Sequence, residues 1–177
     1  MSDSSSFLAP VTVSDYRELA RRRLPKQLFD YLDGGAYDEL TLKENVEAFR
    51  NTRLRQRVMV DVSNVDTSTE LFGLKMAMPL ILAPVGLAGM MRKRAEVQAA
   101  KAAEKHNLPY TLSTVGICPM EEIRANTSAP FWFQLYLMKD RGFAKSVLDR
   151  AAAAGVSVLA FTVDLSVVGA RYRDPRN

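Results

Sequence analysis

The feature that most constrains the fold is a regular alternation of apolar and helical segments from Met78 onward. Four apolar runs have the composition of strands, at 79–85, 110–115, 131–137 and 156–165. Three helical segments separate them, at 95–106, 120–125 and 142–154. Strands that alternate with helices over short connections run parallel and are joined by right-handed crossovers. The pattern predicts an α/β fold, which is either a doubly wound sheet or the first half of an eight-unit barrel.

Polar residues on the predicted strands separate these two folds. Alternate residues of a strand face the same way, so three consecutive strands each carry a polar pair on one face: Thr111 and Ser113, Gln134 and Tyr136, and Thr162 and Asp164. Buried polar groups are costly unless they are paired, so we expect a polar ligand or network across these strand ends. No G-x-G-x-x-G follows the first strand and no P-loop is present. The sequence therefore favours a TIM (β/α)8 barrel, of which this chain supplies the first four strands.

The N-terminal part is predicted to be a helical and hairpin extension of that barrel. Ser14 is a candidate helix cap, and the stretch 41–44 matches a capping box for a later helix. A turn at Phe72 and Gly73 indicates a small hairpin. These signals predict an extension over residues 1–75 and the first half of a β/α barrel over residues 76–177.

Composition excludes several classes of function. The only cysteine, Cys118, rules out an intrachain disulfide, and the only histidine, His106, has no metal-ligand cluster around it. The net charge of +4 is modest and the tight basic runs are short, at 21–23 and 92–94, so nucleic acid binding is not expected. Neither a signal peptide nor an apolar run of about 20 residues is present. We expect a cytoplasmic protein, with at most peripheral contact with the inner membrane.

Five groups of motifs resemble those of the FMN-dependent L-2-hydroxy acid dehydrogenases and oxidases. This TIM-barrel family includes glycolate oxidase and mandelate dehydrogenase. The motifs occur in the family's order and spacing: residues 29–36, 82–87, 111–115, 132–136, and 162–164 with 169–174. Within the family, the likeness is greatest to the branch of bacterial quinone-linked L-lactate dehydrogenases.

The resemblance implies FMN as the cofactor. The matching backbone expected to face flavin N5 is that of Ala83, Pro84, Val85 and Gly86. Three matching side chains are expected to hydrogen-bond the isoalloxazine ring: Ser113, Gln134 and Thr162. Hydroxyl and amide side chains suit this role because they supply both donors and acceptors.

The resemblance also implies substrate residues. Tyr31, Tyr136 and Arg171 match residues that hold the substrate, and an arginine fork suits a carboxylate through two parallel hydrogen bonds. Asp164 matches the carboxylate that pairs with the family's catalytic histidine and stabilises its protonated form. That histidine is not in this chain. His106 cannot replace it, because it lies near the end of the first crossover helix, away from the carboxyl ends of the strands.

The implied activity is oxidation of L-lactate to pyruvate by hydride transfer to flavin N5, with electrons passed to a quinone or another acceptor. Val85 and Val115 agree with the lactate dehydrogenase branch, because glycolate oxidase carries threonine and tryptophan there. Two alternatives stay open. One is an oxygen-reducing oxidase of the glycolate or mandelate type, and the other is a non-catalytic half-barrel that binds a partner.

The position of the last residue suggests half of an enzyme. Asn177 lies in the loop after the fourth predicted strand. By resemblance, the later strands supply the histidine, a second substrate arginine, a lysine near flavin N1 and the phosphate site. We therefore expect the chain alone to be inactive, to bind FMN poorly, and to need the C-terminal half of the barrel as its partner. The family often forms tetramers, so a homo-oligomer is also expected.

Overall fold

A computed structural model of the chain describes residues 9–164 and 167–177. The chain forms two compact units. The helical unit consists of Met1–Gln56 and Val168–Asn177, and the sheet unit consists of Arg57–Val167. The predicted boundary between an N-terminal extension and a barrel domain, at residues 75 and 76, refers to a complete barrel and stays a prediction. None of the helices in the described residues is long and apolar enough to cross a membrane.

Among its described residues, 9–56 and 168–177, the helical unit contains three helices and one short 3-10 turn: α1 (Val13–Arg23), α2 (Lys26–Asp33), α3 (Leu40–Asn51) and Asp174–Arg176. The cap predicted at Ser14 is wrong. Thr12 caps α1, because its hydroxyl accepts from Asp15 N at 3.2 Å while the Asp15 carboxylate accepts from Thr12 N at 2.8 Å. The capping box predicted at 41–44 is also wrong. Helix α3 already begins at Leu40, so those residues lie inside it.

A two-strand hairpin is the first regular part of the sheet unit. Strands β1 (Thr69–Leu71) and β2 (Leu74–Met76) pair antiparallel. The turn residues Phe72 and Gly73 both have positive φ, 51° and 75°, which matches the twist of a tight hairpin. The structure confirms the predicted hairpin.

A parallel sheet of order β3-β4-β5 forms the rest of the sheet unit with its helices. The strands are β3 (Thr111–Ser113), β4 (Trp132–Tyr136) and β5 (Val158–Thr162), and the helices are α4 (Ala88–Met91), α5 (Ala95–Lys105), α6 (Met120–Asn126) and α7 (Arg141–Ala153). This alternation of parallel strands and helices confirms the α/β prediction. Leu165, the end predicted for the last strand, lies outside the described residues.

The first predicted strand, 79–85, does not form a regular strand in the structure. It makes a single parallel bridge, between Leu82 and Tyr110. Leu82 N donates to Pro109 O at 2.9 Å, and Thr111 N donates to Leu82 O at 3.0 Å. Pro79 and Pro84 stand on either side of Leu82 and have no N–H to donate, which limits the ladder here to one bridge.

An apolar core lies between the sheet and its helices. The alternate strand residues Leu112, Phe133 and Leu135 are buried and pack with helix residues Val97, Ile123 and Val147. On the edge strand β5 the corresponding residues are exposed, 44% for Leu159 and 51% for Phe161. Because successive strand residues face opposite ways, the polar residues of β3, β4 and β5 lie on the other face of the sheet.

Candidate functional site

Three polar side chains form a continuous hydrogen-bonded row across that face. Ser113 Oγ donates to Gln134 Oε1 at 3.0 Å, and Gln134 Nε2 donates to Thr162 Oγ1 at 2.7 Å. Ser113 and Gln134 stand opposite each other in the parallel register, and both are buried. The structure therefore brings together the three side chains that the resemblance assigns to the flavin ring.

The polar row retains hydrogen-bonding capacity for a ligand. Gln134 has a second amide N–H and Thr162 a hydroxyl hydrogen, and neither hydrogen is donated within the described part of the chain. Ser113 Oγ also accepts from Val115 N at 3.2 Å, which fixes the backbone just beyond β3. A row with both donors and acceptors fits the edge of a polar heteroaromatic ring, and FMN carries such an edge.

Thr114 fixes the C-terminal end of β4. Its role was not predicted from the sequence. Its hydroxyl donates to Gln134 O and accepts from Tyr136 N at 3.0 Å. Its own N–H donates to Gln134 O at 3.0 Å. These bonds hold the half-buried Tyr136 at the end of its strand. A threonine beside a strand end is too common a signal to predict this role from sequence.

The segment predicted to face flavin N5 is open to solvent. Ala83, Pro84 and Val85 are exposed and Gly86 is half-buried. The following residue, Leu87, donates its N–H to Val115 O at 2.9 Å. The backbone of 83–86 is therefore accessible and is tied to the loop after β3.

Glu96, in the first turn of α5, is a buried carboxylate that the sequence reasoning missed. Its side chain is among the least exposed of the described residues, at 1%. Oε1 accepts from Gly89 N at 3.0 Å and from Ile117 N at 2.9 Å. An acidic residue beside the apolar Val97 in an alanine-rich helix is the only sequence signal for it.

The charged form of Glu96 is maintained despite its burial. Burial raises its pKa, but N–H donors from Ile117, its own backbone and Gly89, together with the Cys118 thiol, outweigh that effect and hold the pKa below its ordinary value. Burial and the same carboxylate raise the pKa of Cys118 to about 11. Glu96 Oε2 makes no hydrogen bond among the described residues.

Two predicted substrate residues meet in the helical unit. The Arg171 guanidinium lies 5.0 Å from the centre of the Tyr31 ring, within cation–π range. Its Nη2 donates to Tyr31 O, and its Nε donates to Asp174 Oδ2 at 3.0 Å. The ring of Tyr31 is on α2, so these contacts attach the C-terminal segment to that helix.

An ionic network around Arg173 strengthens the same attachment and was also missed. Arg173 donates to Asp33 Oδ2 at 2.9 Å and to Glu39 Oε2 at 2.6 Å. Arg17 donates to the same Asp33 carboxylate. Hydrogen bonds to Glu39 and Asp33 raise the pKa of Arg173, and hydrogen bonds from Arg17, then Arg173, hold the pKa of Asp33 below its usual range despite partial burial.

The other two predicted catalytic residues belong to the sheet unit. Tyr136 ends β4, and the exposed Asp164 follows β5 by two residues. His106 follows the last residue of α5 and precedes β3, so it lies at the amino end of the strand. The roles of Tyr31, Tyr136, Asp164 and Arg171 stay predictions. In the described residues, no group of three or more His, Cys, Asp and Glu side chains could hold a metal ion.

Comparison with known proteins identifies relatives over nearly the whole chain. The family model of the FMN-dependent dehydrogenases matches residues 20–177. L-lactate dehydrogenase of Allorhizobium ampelinum is 58% identical over 161 residues, which are 91% of this chain and 42% of that protein. L-lactate dehydrogenase of Haemophilus influenzae is 59% identical over 163 residues, which are 92% and 43%. The chain therefore spans less than half the length of these relatives.

A solved structure matches the fold as well. A soluble mutant of the membrane-associated (S)-mandelate dehydrogenase from Pseudomonas putida superposes with a TM-score of 0.88 and 38% identity. The match covers 93% of this chain and 47% of that chain. It confirms the predicted fold class, the first part of a TIM barrel.

Proposed function

Because the chain belongs to the FMN-dependent dehydrogenase family, we propose that it supplies the N-terminal half of an enzyme that oxidises an L-2-hydroxy acid. The proposed substrate is L-lactate and the product pyruvate. Identity to the L-lactate dehydrogenases, 58–59%, exceeds the 38% identity to mandelate dehydrogenase, which supports lactate. The observation that carries the proposal is the polar row of Ser113, Gln134 and Thr162 across the strand ends.

The cofactor of this family is FMN, and the residues present fit it. The polar row would hold the polar edge of the isoalloxazine, because its free amide and hydroxyl hydrogens complement ring acceptors. The accessible backbone of Ala83, Pro84, Val85 and Gly86 would lie beside the ring. When bound, FMN supplies an acceptor at N5 for the substrate's α-hydrogen and its two electrons.

Arg171 is proposed to bind the substrate carboxylate. One edge of its guanidinium is occupied by Asp174 and the Tyr31 carbonyl, while Nη1 makes no hydrogen bond within the described part of the chain. The Tyr31 ring supports the guanidinium plane at 5.0 Å. A charge-assisted hydrogen bond from Nη1 to a carboxylate is the strong kind. The Tyr31 and Tyr136 hydroxyls are proposed to orient the substrate hydroxyl and carboxylate.

Asp164 is proposed to orient the histidine base that removes the substrate's hydroxyl proton. Asp164 is exposed, so its carboxylate is accessible to such a partner. A carboxylate in this position would fix the tautomer of the imidazole and stabilise the imidazolium that forms. Without that base the chain is proposed to be inactive on its own and to bind FMN weakly.

The proposed partners follow from the same reasoning. The C-terminal half of the barrel would pair with the open edge of β5 and cover Leu159 and Phe161. The completed protein is proposed to form a homo-oligomer, to pass its electrons to a quinone, and to contact the cytoplasmic face of the membrane peripherally. The membrane association of the mandelate dehydrogenase relative supports the last point.

An anaerobic absorbance spectrum tests the proposal. The chain is prepared alone and together with a C-terminal half that carries the histidine base, and each sample is treated with L-lactate. We expect bound flavin that loses its visible absorbance only in the combined protein. D-lactate, glycolate and (S)-mandelate serve as comparison substrates. A combined protein that retains FMN but is not reduced by L-lactate would exclude lactate oxidation.

A further inference from the structure

We propose that Glu96 is a positioning residue for the cofactor site. In this role its buried carboxylate holds together the two loops that carry the flavin-facing groups. The inference rests on the proposed function, because it assumes that residues 83–86 and Ser113 contact FMN. The inference adds Glu96, which contacts the backbone of those loops and would not itself touch the cofactor.

A single oxygen of Glu96 joins two loops that are distant in sequence. Gly89 is in the first turn of α4, where backbone N–H groups have no partner inside the helix. Ile117 is in the turn after β3. Both N–H groups donate to Glu96 Oε1, at 3.0 and 2.9 Å. Removing the carboxylate would leave both donors without this acceptor.

Both loops lead directly to proposed flavin contacts. Gly89 is three residues after Gly86, and Ile117 is four residues after Ser113. The Leu87 N–H donates to Val115 O at 2.9 Å, which links the same two loops nearer to the site. A displacement of the Gly89 and Ile117 backbones would therefore pass to the residues that face the ring.

Close packing makes the relative position of the loops specific. A Cβ placed on Gly89 would lie 2.6 Å from Ile117 Cβ, so the two loops are in direct contact there. They cannot move closer to compensate for a lost hydrogen bond. The location of Glu96 in the first turn of α5 also favours its negative charge, because the positive end of the helix dipole lies there.

Glu104 provides a matched control on the same helix. Its Oε1 accepts from Ser128 N at 2.7 Å and from Ala129 N at 2.8 Å. This carboxylate also binds two backbone N–H groups, but those of the loop before β4, at the amino ends of the strands. Both residues therefore tie a loop to α5, and only Glu96 ties loops next to the proposed flavin contacts.

The experiment compares FMN affinity in the full protein, the chain together with its C-terminal half. Apoprotein of the wild type, Glu96→Ala, Glu96→Gln, Glu104→Ala and Glu104→Gln is titrated with FMN and followed by flavin fluorescence. We expect Glu96→Ala to raise the Kd for FMN about tenfold, since two part-buried donors lose their acceptor. Glu96→Gln keeps an acceptor oxygen and should raise the Kd by less. The Glu104 variants should leave it within about twofold.

Hydrogen exchange of the apoproteins gives a readout that does not depend on the cofactor. We expect the Gly89 and Ile117 amides to exchange faster in the Glu96 variants, and those of Ser128 and Ala129 in the Glu104 variants. An unchanged Kd for Glu96→Ala would overturn the inference, and so would an equal loss of affinity in the two alanine variants. If Glu96→Ala does not fold, the Kd of Glu96→Gln is compared with the Kd of the wild type and of Glu104→Gln, and the same outcomes overturn the inference. Failure of the wild type to bind FMN would refute the proposed function, and exchange would still decide whether Glu96 ties the loops.

Discussion

The helical unit and the sheet unit are stabilised by different kinds of interaction. In the helical unit, Phe29 is the only buried side chain among residues 9–56 and 168–177. The C-terminal segment of this unit is attached to the helices by polar contacts, which include an ionic network centred on Arg173. In the sheet unit, buried apolar residues of three helices and two strands form one continuous core. The proposed substrate arginine is thus mounted on a charged framework, and the proposed flavin contacts on an apolar one.

Because of this difference, the two units should respond differently to pH and to salt concentration. Ion pairs near the surface weaken with salt and with protonation of their carboxylates. Burial of apolar surface is not screened by salt in this way and involves no titrating group. The proposed substrate-binding residues of the helical unit, Tyr31 and Arg171, are therefore expected to be more sensitive to ionic strength than the flavin-binding residues of the sheet unit.

The largest expected effect is in the sheet unit. Ile123 on α6 is fully buried, at 0% exposure, so Ile123→Ala should lower the free energy of unfolding by about 3 kcal/mol through lost burial and a cavity. Urea unfolding followed by the fluorescence of Trp132, the only tryptophan, measures it. Val46→Ala on α3, where the side chain is half-exposed, should cost less than about 0.5 kcal/mol. Equal losses in the two variants would contradict the comparison.

A smaller and local effect is expected in the helical unit. Arg173→Met removes the cation that joins Asp33 and Glu39, and should destabilise the attachment of the C-terminal segment to α2 by about 1 kcal/mol, allowing for solvent screening. Hydrogen exchange of the α2 amides should rise, while the urea midpoint reported by Trp132 stays unchanged. In the completed enzyme the KM for L-lactate should rise more than kcat falls.

Arg176→Met is the control for this prediction. Arg176 is in the same segment, and its guanidinium lies over the Tyr172 ring at 5.7 Å. The Arg176→Met variant is therefore expected to leave hydrogen exchange of the α2 amides unchanged. If both arginine variants loosened α2 to the same extent, the ionic network would not be the cause.

The smallest effect is a pH dependence of the helical unit. The folded-state pKa of Asp33 is lowered by Arg17 and Arg173, so its stabilisation is complete above the ordinary aspartate pKa and is lost as the pH falls through the lowered value. Below about pH 5, α2 protection should fall by less than about 1 kcal/mol. Asp33→Asn should be less protected at neutral pH and should lose this dependence. Persistence of the dependence in Asp33→Asn would assign it to another carboxylate.

Prediction from the sequence succeeded where local chemistry decides the structure. The hairpin at Phe72 and Gly73 requires positive φ at both turn residues, and a glycine signals that directly. The later strands alternate apolar and polar residues, which identifies both their type and their polar face. The row of Ser113, Gln134 and Thr162 follows from that alternation once the strands are parallel.

Prediction failed where two local signals compete or where prolines limit the hydrogen bonding of an entire strand. Thr12 and Ser14 are both good caps, and the carboxylate of Asp15 favours Thr12 by completing a capping box. In the first predicted strand, the apolar run is correct but Pro79 and Pro84 restrict its hydrogen bonding to one bridge.

The sequence alone determined the α/β alternation, the family and the polar face of the strands, because these depend on residue order and on motifs of a few residues. Only the tertiary structure decided that Glu96 joins two loops and that Arg173 joins a C-terminal segment to α2. A buried carboxylate and an exposed one look alike in sequence. The partners that stabilise their charges come from residues far along the chain, and only folding brings them within hydrogen-bonding distance.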